Sequence, residues 1–327
     1  MSDALPCVTV LIPARPDLAV IRALDAVRRL DYPPGQLEIL IARGRQPSVQ
    51  RNAALRVARG ELVYFLDDDS LPEPENVRRA LAHFEDPNVV MVGGPNICPL
   101  DAPEHEQVFA LVLASWLAFG PSRARYTPVG FTRATSEKEL ILCNLIARRD
   151  ALLALGGFNE ALYPNEENAL MDQLQQRGGK LIYDPAFLAY RRPRPTLKAF
   201  CRMLLTYGRG RAEQFRVHPT PGSALNFIPP LFVVYVVTLP LGLAWLGTWA
   251  LAPLALYAVL LAAQWLDFLA RSTPSRAWRA VPLLVLAHLL YGLGFWRGLF
   301  TRLKPPGERA QTAVTLERAS VQPAPAS

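Results

Sequence analysis

The sequence predicts an α/β fold, a mostly parallel sheet flanked by helices, followed by C-terminal transmembrane helices. Three observations predict it. First, four short apolar runs, Val8–Ile12, Leu37–Ala42, Leu62–Leu66 and Val89–Gly93, alternate with stretches of helical periodicity. Unbroken apolar runs suit strands covered on both faces, and strand–helix alternation implies parallel strands with right-handed crossovers. Second, the third run stops at Asp67-Asp68-Asp69, with Pro72 and Pro74 just beyond. Proline prevents the strand from continuing, and ligands of open α/β sheets bind past the carboxyl ends of strands. Third, no Asp, Glu, Lys or Arg occurs from Val217 to Leu266. That is chain enough for two helices of about 20 residues, each crossing a ~30 Å hydrocarbon core.

Taken in order, Val8–Ile12 reads as a strand, and Asp17 can cap a helix over Leu18–Leu30. Leu37–Ala42 is the second strand, and Val49–Arg59 a helix stopped by Gly60. After the Asp-tipped strand come a helix over Pro74–Phe84 and the strand Val89–Gly93. An apolar helix, Val108–Phe119, precedes Gly120–Thr135, a Gly- and Arg-containing stretch that could close over a ligand. Glu166–Arg177 reads as a helix with Asn165 as cap and Gly178 after its end. Arg191–Arg216 holds eight basic residues and one acid, Glu213, with an apolar stripe of Leu197, Phe200, Leu204, Leu205 and Tyr207. Such a helix lies in the headgroup region of a bilayer. Spans are expected near Ala224–Leu246 and Trp249–Phe268, broken at Gly247-Thr248, with Trp and Tyr near their ends. A third apolar run, Ala280–Trp296, has 17 residues, the lower limit for a span. We divide the chain into a catalytic domain 1–190, a basic interfacial segment 191–222, a membrane region 223–303 and a Pro/Ala/Ser-rich tail 304–327 read as disordered.

The charge is divided as sharply as the hydropathy. Residues 191–327 carry 16 Lys and Arg against 4 Asp and Glu, whereas the rest carries 19 against 24. The basic excess therefore belongs to the part with the apolar helices, and an anionic membrane explains it better than nucleic acid. Cys7, Cys98, Cys143 and Cys201 form no CxxC pair and read as reduced, mostly buried thiols in a protein facing the cytosol. No secretory signal is expected, because only a strand-length apolar run follows Asp3.

Two acidic clusters are candidates for chemistry. Three carboxylates at one strand end repel one another unless they share a cation. Asp67 and Asp69, two apart on an extended chain, can point to one side with a hard divalent metal between them and a diphosphate. The competing reading is a surface turn that caps the next helix. For Glu166-Glu167, the competing reading is the acidic first turn of a helix, which the helix dipole favours without catalysis.

Val8-Thr-Val-Leu-Ile-Pro-Ala-Arg15, Phe65-Leu-Asp-Asp-Asp69, Gly156-Gly-Phe-Asn-Glu160 and Asn165-Glu-Glu-Asn168 occur in this order. Together they resemble the family-2 glycosyltransferases, inverting enzymes of the Rossmann-like GT-A fold, over roughly residues 6–215. The C-terminal membrane segments resemble the branch that builds bacterial exopolysaccharides and other surface glycans. The resemblance implies that Pro13, Ala14 and Arg15 hold the nucleotide. It implies that Asp69 is a metal ligand for Mg or Mn, and that Asp67 faces the ribose or the metal. Glu167 falls at the general-base position and Glu166 at the acid before it. Arg202, Arg209 and Arg211 would approach donor or acceptor phosphates, unless they serve only attraction to anionic lipid.

The departures from the family pattern are also informative. The family usually ends its second strand in an Asp that reads the nucleotide base; here the strand runs into Arg43-Gly-Arg-Gln-Pro-Ser-Val-Gln-Arg51 with no acid. Arg51 is placed with the nucleotide-binding residues, as a group that could grip phosphate. The family's further metal ligand, a His, is missing from Phe187-Leu-Ala-Tyr-Arg-Arg192. The expected activity is transfer of a sugar from a nucleotide-sugar, a UDP-sugar by default, to a lipid-linked acceptor. The catalytic domain is expected on the cytosolic side of a multi-pass inner-membrane protein, with Ala280–Trp296 interfacial or re-entrant. Transfer to a polyprenyl phosphate, a nucleotidyltransferase and an inactive glycan-binding scaffold are the alternatives; the second would need a Gly-rich loop that Val8–Asp17 lacks.

Overall fold

The computed structural model describes residues 5–162, 166–217, 219, 221–303 and 313–321. The chain separates into two compact units. One comprises Met1–Pro99, Ala124–Arg191 and Lys304–Ser327; the other comprises Leu100–Arg123 and Arg192–Leu303.

The first unit is a three-layer α/β structure. Its strands are β1 (Val8–Ala14), β2 (Leu37–Arg43), β3 (Leu62–Leu66), β4 (Leu71–Pro72), β5 (Val89–Gly93), β6 (Asn96–Ile97), β7 (Arg133–Thr135), β8 (Asn144–Arg148), β9 (Lys180–Tyr183), β10 (Ala189–Tyr190) and β11 (Thr315–Ala319). The first three helices are α1 (Arg22–Val27), α2 (Pro47–Val57) and α3 (Asn76–His83). Chain order then passes through α4 (Glu104–Leu113) and α5 (Trp116–Phe119) of the second unit before α6 (Arg149–Ala154) and α7 (Glu166–Gln176). The large sheet has the order β11-β2-β1-β3-β8-β5-β9-β7, and a small sheet has the order β4-β10-β6. The β2-β1-β3 block is parallel, as the alternating pattern predicts. Beyond it the sheet is mixed, because β8 runs antiparallel to both β3 and β5. All five residues of β3 are buried, in keeping with a strand covered on both faces. One core lies beneath α1 and α3, with Ile12, Ile39, Tyr64 and Val77; the other lies beneath α2 and α7, with Leu11, Leu40, Phe65 and Met171.

Several boundaries differ from the sequence reading for identifiable reasons. α1 begins at Arg22, not Leu18, because the preceding segment is held as a loop: Arg43 Nη1 donates to the Leu18 carbonyl at 2.8 Å and Ala23 N donates to the Asp68 carbonyl at 3.0 Å. Gly60 is no helix stop, since α2 already ends at Val57. A Cβ there would lie 2.4 Å from Thr9 N, so close approach of two backbones explains the glycine. The Val108–Phe119 helix divides into α4 and α5 where the Ser115 hydroxyl accepts from Ala118 N. Only Cys143 is buried; Cys7, Cys98 and Cys201 are half-buried, because they sit at element ends or on an amphipathic helix. The tail is not wholly irregular. β11 adds to β2 antiparallel, placing Glu317 against Ile41 and Arg318 against Leu40. Arg43 donates to Glu317 at 2.7 Å and Arg318 to Glu38 at 2.9 Å. Residues 304–312 and 322–327 lie outside the described residues.

The second unit is helical. Besides α4 and α5 it contains α8 (Leu197–Val217), α9 (Ile228–Leu246), α10 (Ala252–Arg271) and α11 (Pro274–Phe300). α9 ends at Gly247, whose φ of 59° lets the chain turn back. Large apolar side chains on α9 and α10, among them Leu231, Val237, Leu241, Trp245, Leu256 and Leu266, are exposed. The segments Ala224–Arg271 and Pro274–Phe300 are long and apolar enough to cross a membrane. α11 is longer than the expected Ala280–Trp296, and glycines bring it against α8: added Cβ atoms at Gly208 and Gly294 would lie 2.0 Å from the Tyr291 carbonyl and 2.2 Å from the Leu205 carbonyl.

Candidate active site

The order β2-β1-β3 makes the gap between β1 and β3 the point where the strand order reverses. A ligand is expected beyond the carboxyl ends there. Pro13, Ala14 and Arg15 close β1 at that point; Ala14 is buried and its carbonyl accepts from Gly44 N and from Gln50 Nε2. Arg15 is exposed. At the end of β3 the chain turns sharply, with Ser70 N donating to the Asp67 carbonyl at 3.1 Å. That turn leaves the carboxylates of Asp67 and Asp69 converging on one group.

The group is the guanidinium of Arg191. Its Nη1 lies 3.0 Å from Asp67 Oδ2 and its Nε lies 2.5 Å from Asp69 Oδ1. Short-range pattern could not have found it, because Arg191 stands far along the chain and is delivered by pairing of two very short strands. β10 pairs antiparallel with β4, so Tyr190 opposes Leu71 and Arg191 follows beside the aspartate turn. A buried amide network pins the approach to β10: Asn144 Nδ2 donates to the Phe187 carbonyl, Asn76 Nδ2 to the Leu188 carbonyl, and Tyr64 Oη to Asn144 Oδ1. Burial alone would lower the Arg191 pKa, but Asp67, the Cys143 sulfur and Asp69 raise it well above its ordinary value. Among the described residues no ion pair holds the Asp68 carboxylate. Burial, then the Asp69 and Asp67 carboxylates, push its pKa up.

A second cation links this cluster to α7. Arg51 Nη1 lies 3.0 Å from Glu166 Oε1, and its Nη2 lies 3.4 Å from Asp67 Oδ1. Glu166 is 3% exposed, and its Oε2 has no hydrogen-bond partner. Burial, followed by the Glu167 carboxylate, pushes Glu166 up to about 7. Arg51 opposes that shift without cancelling it, being shared with Asp67. Glu167, next along the helix, is half-buried. Asn165, the expected cap, lies outside the described residues. The glycine-rich stretch before it is tied down by a residue the sequence reading missed: Asn52 accepts from Phe158 N at 2.8 Å and donates to the Phe158 carbonyl at 2.9 Å and to Glu160 Oε1 at 2.8 Å. Gly157, at φ 85°, would place a Cβ 2.4 Å from Asn52 Oδ1; its left-handed conformation and lack of side chain both serve that contact.

The first unit thus brings together Arg51, Asp67, Asp69, Glu166 and Glu167. Arg202, Arg209 and Arg211 belong to α8 of the second unit, where Arg209 lies 3.3 Å from Glu213 and Arg211 donates to Gln214 at 3.1 Å. As a cation site, Asp67 and Asp69 offer two hard oxygen donors that already converge on one positive group, which suits a divalent ion. Among the described residues no three His, Cys, Asp or Glu side chains converge, so further ligands would come from a bound diphosphate and water.

Residues 21–151, which include the aspartate turn, match the family described as Glycosyl transferase family 2. The chain carries a glycosyl transferase family 2 domain. Beyond that match, the chain is 30% identical over 179 residues to a pre-mycofactocin glycosyltransferase of Mycobacterium tuberculosis, covering 55% of this chain and 37% of that protein. The chain therefore spans little more than a third of those relatives' length. It is 26% identical over 330 residues to the succinoglycan biosynthesis protein ExoA of Rhizobium meliloti, covering 89% and 94%. In fold it is similar to the mannosyltransferase PcManGT from Pyrobaculum calidifontis, solved with GDP-Man and Mn2+, at a TM-score of 0.56 and 20% identity over 91% and 90% of the two chains. That likeness identifies the fold as GT-A-like.

Proposed function

We propose that this chain is an inverting glycosyltransferase of a cell membrane, moving a sugar from a nucleotide-sugar to a hydroxyl of a lipid-linked saccharide in surface-polysaccharide assembly. The observation that carries this is the convergence of Asp67 and Asp69 at the β1/β3 switch point, with Glu166, the neighbour of Glu167, linked to them through Arg51. The likeness to ExoA along most of both chains supports the polysaccharide setting. Asp67 and Asp69 would hold Mg or Mn, which when bound supplies positive charge against the departing diphosphate. The acceptor oxygen attacks the anomeric carbon, its proton passes to Glu167, and the bond from that carbon to the diphosphate oxygen breaks with its electron pair. A single displacement inverts the anomeric configuration. Glu167 suits the base because it is only half-buried, whereas Glu166 is buried against Arg51 and steadies the helix start.

Chain connectivity bears on topology. The chain leaves the first unit after Arg191 and returns to it with β11, which joins the same sheet. On this reading the segment between begins and ends on one side of the membrane and crosses it an even number of times. α9 and α10, about 28 and 30 Å long at 1.5 Å per residue, are the natural pair. α11 is then no third crossing. Both its ends are held by polar partners within the second unit: Arg276 pairs with Glu104 at 2.7 Å, and Arg216 of α8 donates to the Gly298 carbonyl at 3.1 Å. Nucleotide-sugars are cytosolic, so the first unit faces the cytosol, with Arg271, Arg276 and Arg279 on that side in accord with the positive-inside rule.

Glu167→Gln tests the reaction class. It keeps size and a hydrogen-bond acceptor but removes the base. With a sugar hydroxyl as acceptor, kcat falls by about a hundredfold or more and donor binding is unchanged. A loss of about tenfold or less on the true acceptor refutes the hydroxyl acceptor and points to a lipid phosphate, already anionic and in no need of a base.

A further inference from the structure

The Asp67–Arg191–Asp69 arrangement has a consequence for how a donor enters. A guanidinium bridging two carboxylates occupies the space between them, and a divalent ion drawn to the same oxygens competes for it. Among the described residues, the two cations that pair with this cluster, Arg51 and Arg191, are held differently. Arg51 is buried and clamped between Glu166 and Asp67. The Arg191 side chain is 25% exposed, and its main chain is fixed by β10 while the guanidinium stands at the end of a long, flexible stem. With Arg191 withdrawn, Asp67 would still keep Arg51 at Oδ1, whereas its Oδ2 and Asp69 Oδ1 would be released together.

We propose that Arg191 is a displaceable internal cation: it holds Asp67 and Asp69 together in the free enzyme, yields them to the divalent ion that arrives with the nucleotide, and turns its guanidinium to the donor's diphosphate. The inference rests on the reading of Asp67 and Asp69 as the metal ligands. Charge balance favours the exchange, since the incoming ion replaces one positive charge by two, and the diphosphate supplies a new anion for the released guanidinium. Planar, bidentate recognition of phosphate is what arginine offers over lysine. The free enzyme then has little affinity for metal alone, and metal and nucleotide bind as a pair.

The test is Mn2+ binding to the purified full chain, followed by the EPR signal of free Mn2+, first without nucleotide and then as nucleoside diphosphate affinity at saturating Mn2+, with UDP and GDP each as probe. Arg191→Gln should tighten Mn2+ binding in the absence of nucleotide by about tenfold or more, and should weaken Mn2+-dependent binding of the nucleoside diphosphate by a similar factor. Arg191→Lys, which keeps the charge but lacks the planar fork, should fall between wild type and Arg191→Gln on both measures. The opposite signs separate this role from a structural one, in which both affinities weaken together. Unchanged or weaker Mn2+ binding by Arg191→Gln, with the Lys variant folded and equal to wild type, overturns the exchange. Failure of the metal-site reading looks different: Asp69→Asn then leaves Mn2+ binding unaltered in every background.

Discussion

Glu166→Gln is the substitution whose effect can be worked out most fully from the structure. Glu166 is buried on α7, one carboxylate oxygen on Arg51 and the other without a partner. Burial and Glu167 raise its pKa from 4.5 to about 7. A carboxyl that binds its proton more tightly when folded contributes stability at low pH, lost as pH rises toward the folded value. At 1.36 kcal/mol per unit, the fall between pH 5 and pH 8 is about 2–3 kcal/mol. Gln cannot ionise, so the fall disappears in the variant. Losing the Arg51 partner costs the variant stability too, but equally at both pH values, and it cancels when each protein is compared with itself. Thermal melting of the full chain in detergent at pH 5 and pH 8 measures the difference. Wild type should lose on the order of 5 °C more than Glu166→Gln between the two conditions. Equal pH dependence in the two proteins would refute the argument that burial outweighs Arg51 at this site.

Two further outcomes follow from the same geometry. Asp69→Asn should lower turnover by about a hundredfold or more and abolish metal-stimulated nucleotide binding, whereas Asp68→Asn, which removes only a strained negative charge, should stay within about threefold; steady-state kinetics of the two purified variants decides. A phosphatase fused after Ser327 should be inactive if the tail is cytosolic, and periplasmic activity would refute an even number of crossings.

Much of the first unit was legible because buried parallel strands are written as apolar runs: β2, β3 and β5 fall on Leu37–Ala42, Leu62–Leu66 and Val89–Gly93 within a residue. The aspartate turn was legible for a related reason, since three acids abruptly ending such a run need an explanation. What escaped depends on pairing between distant segments. β4 and β10 have two residues each, too few for any period, yet they carry Arg191 to Asp69. Asn52, Asn76 and Asn144 look like ordinary polar residues in the sequence; only burial reveals them as the ties that hold the glycine-rich stretch and the approach to β10. β11 was hidden by its polar edge-strand composition, Thr315-Leu-Glu-Arg-Ala319, inside a Pro-rich tail.

That last strand sets an order of events during synthesis. β2 has its α/β neighbours early, but its outer edge stays open until Thr315–Ala319 has been made. An open edge is a row of unpaired N–H and C=O groups, a template for the wrong partner. At 5–20 residues per second the ribosome needs on the order of 10 s to pass from Arg192 to Val314, and the apolar helices of the second unit emerge within that interval. If those helices enter lipid, they do so before the sheet is sealed, and the strand that finishes the sheet is the last described element to leave the ribosome.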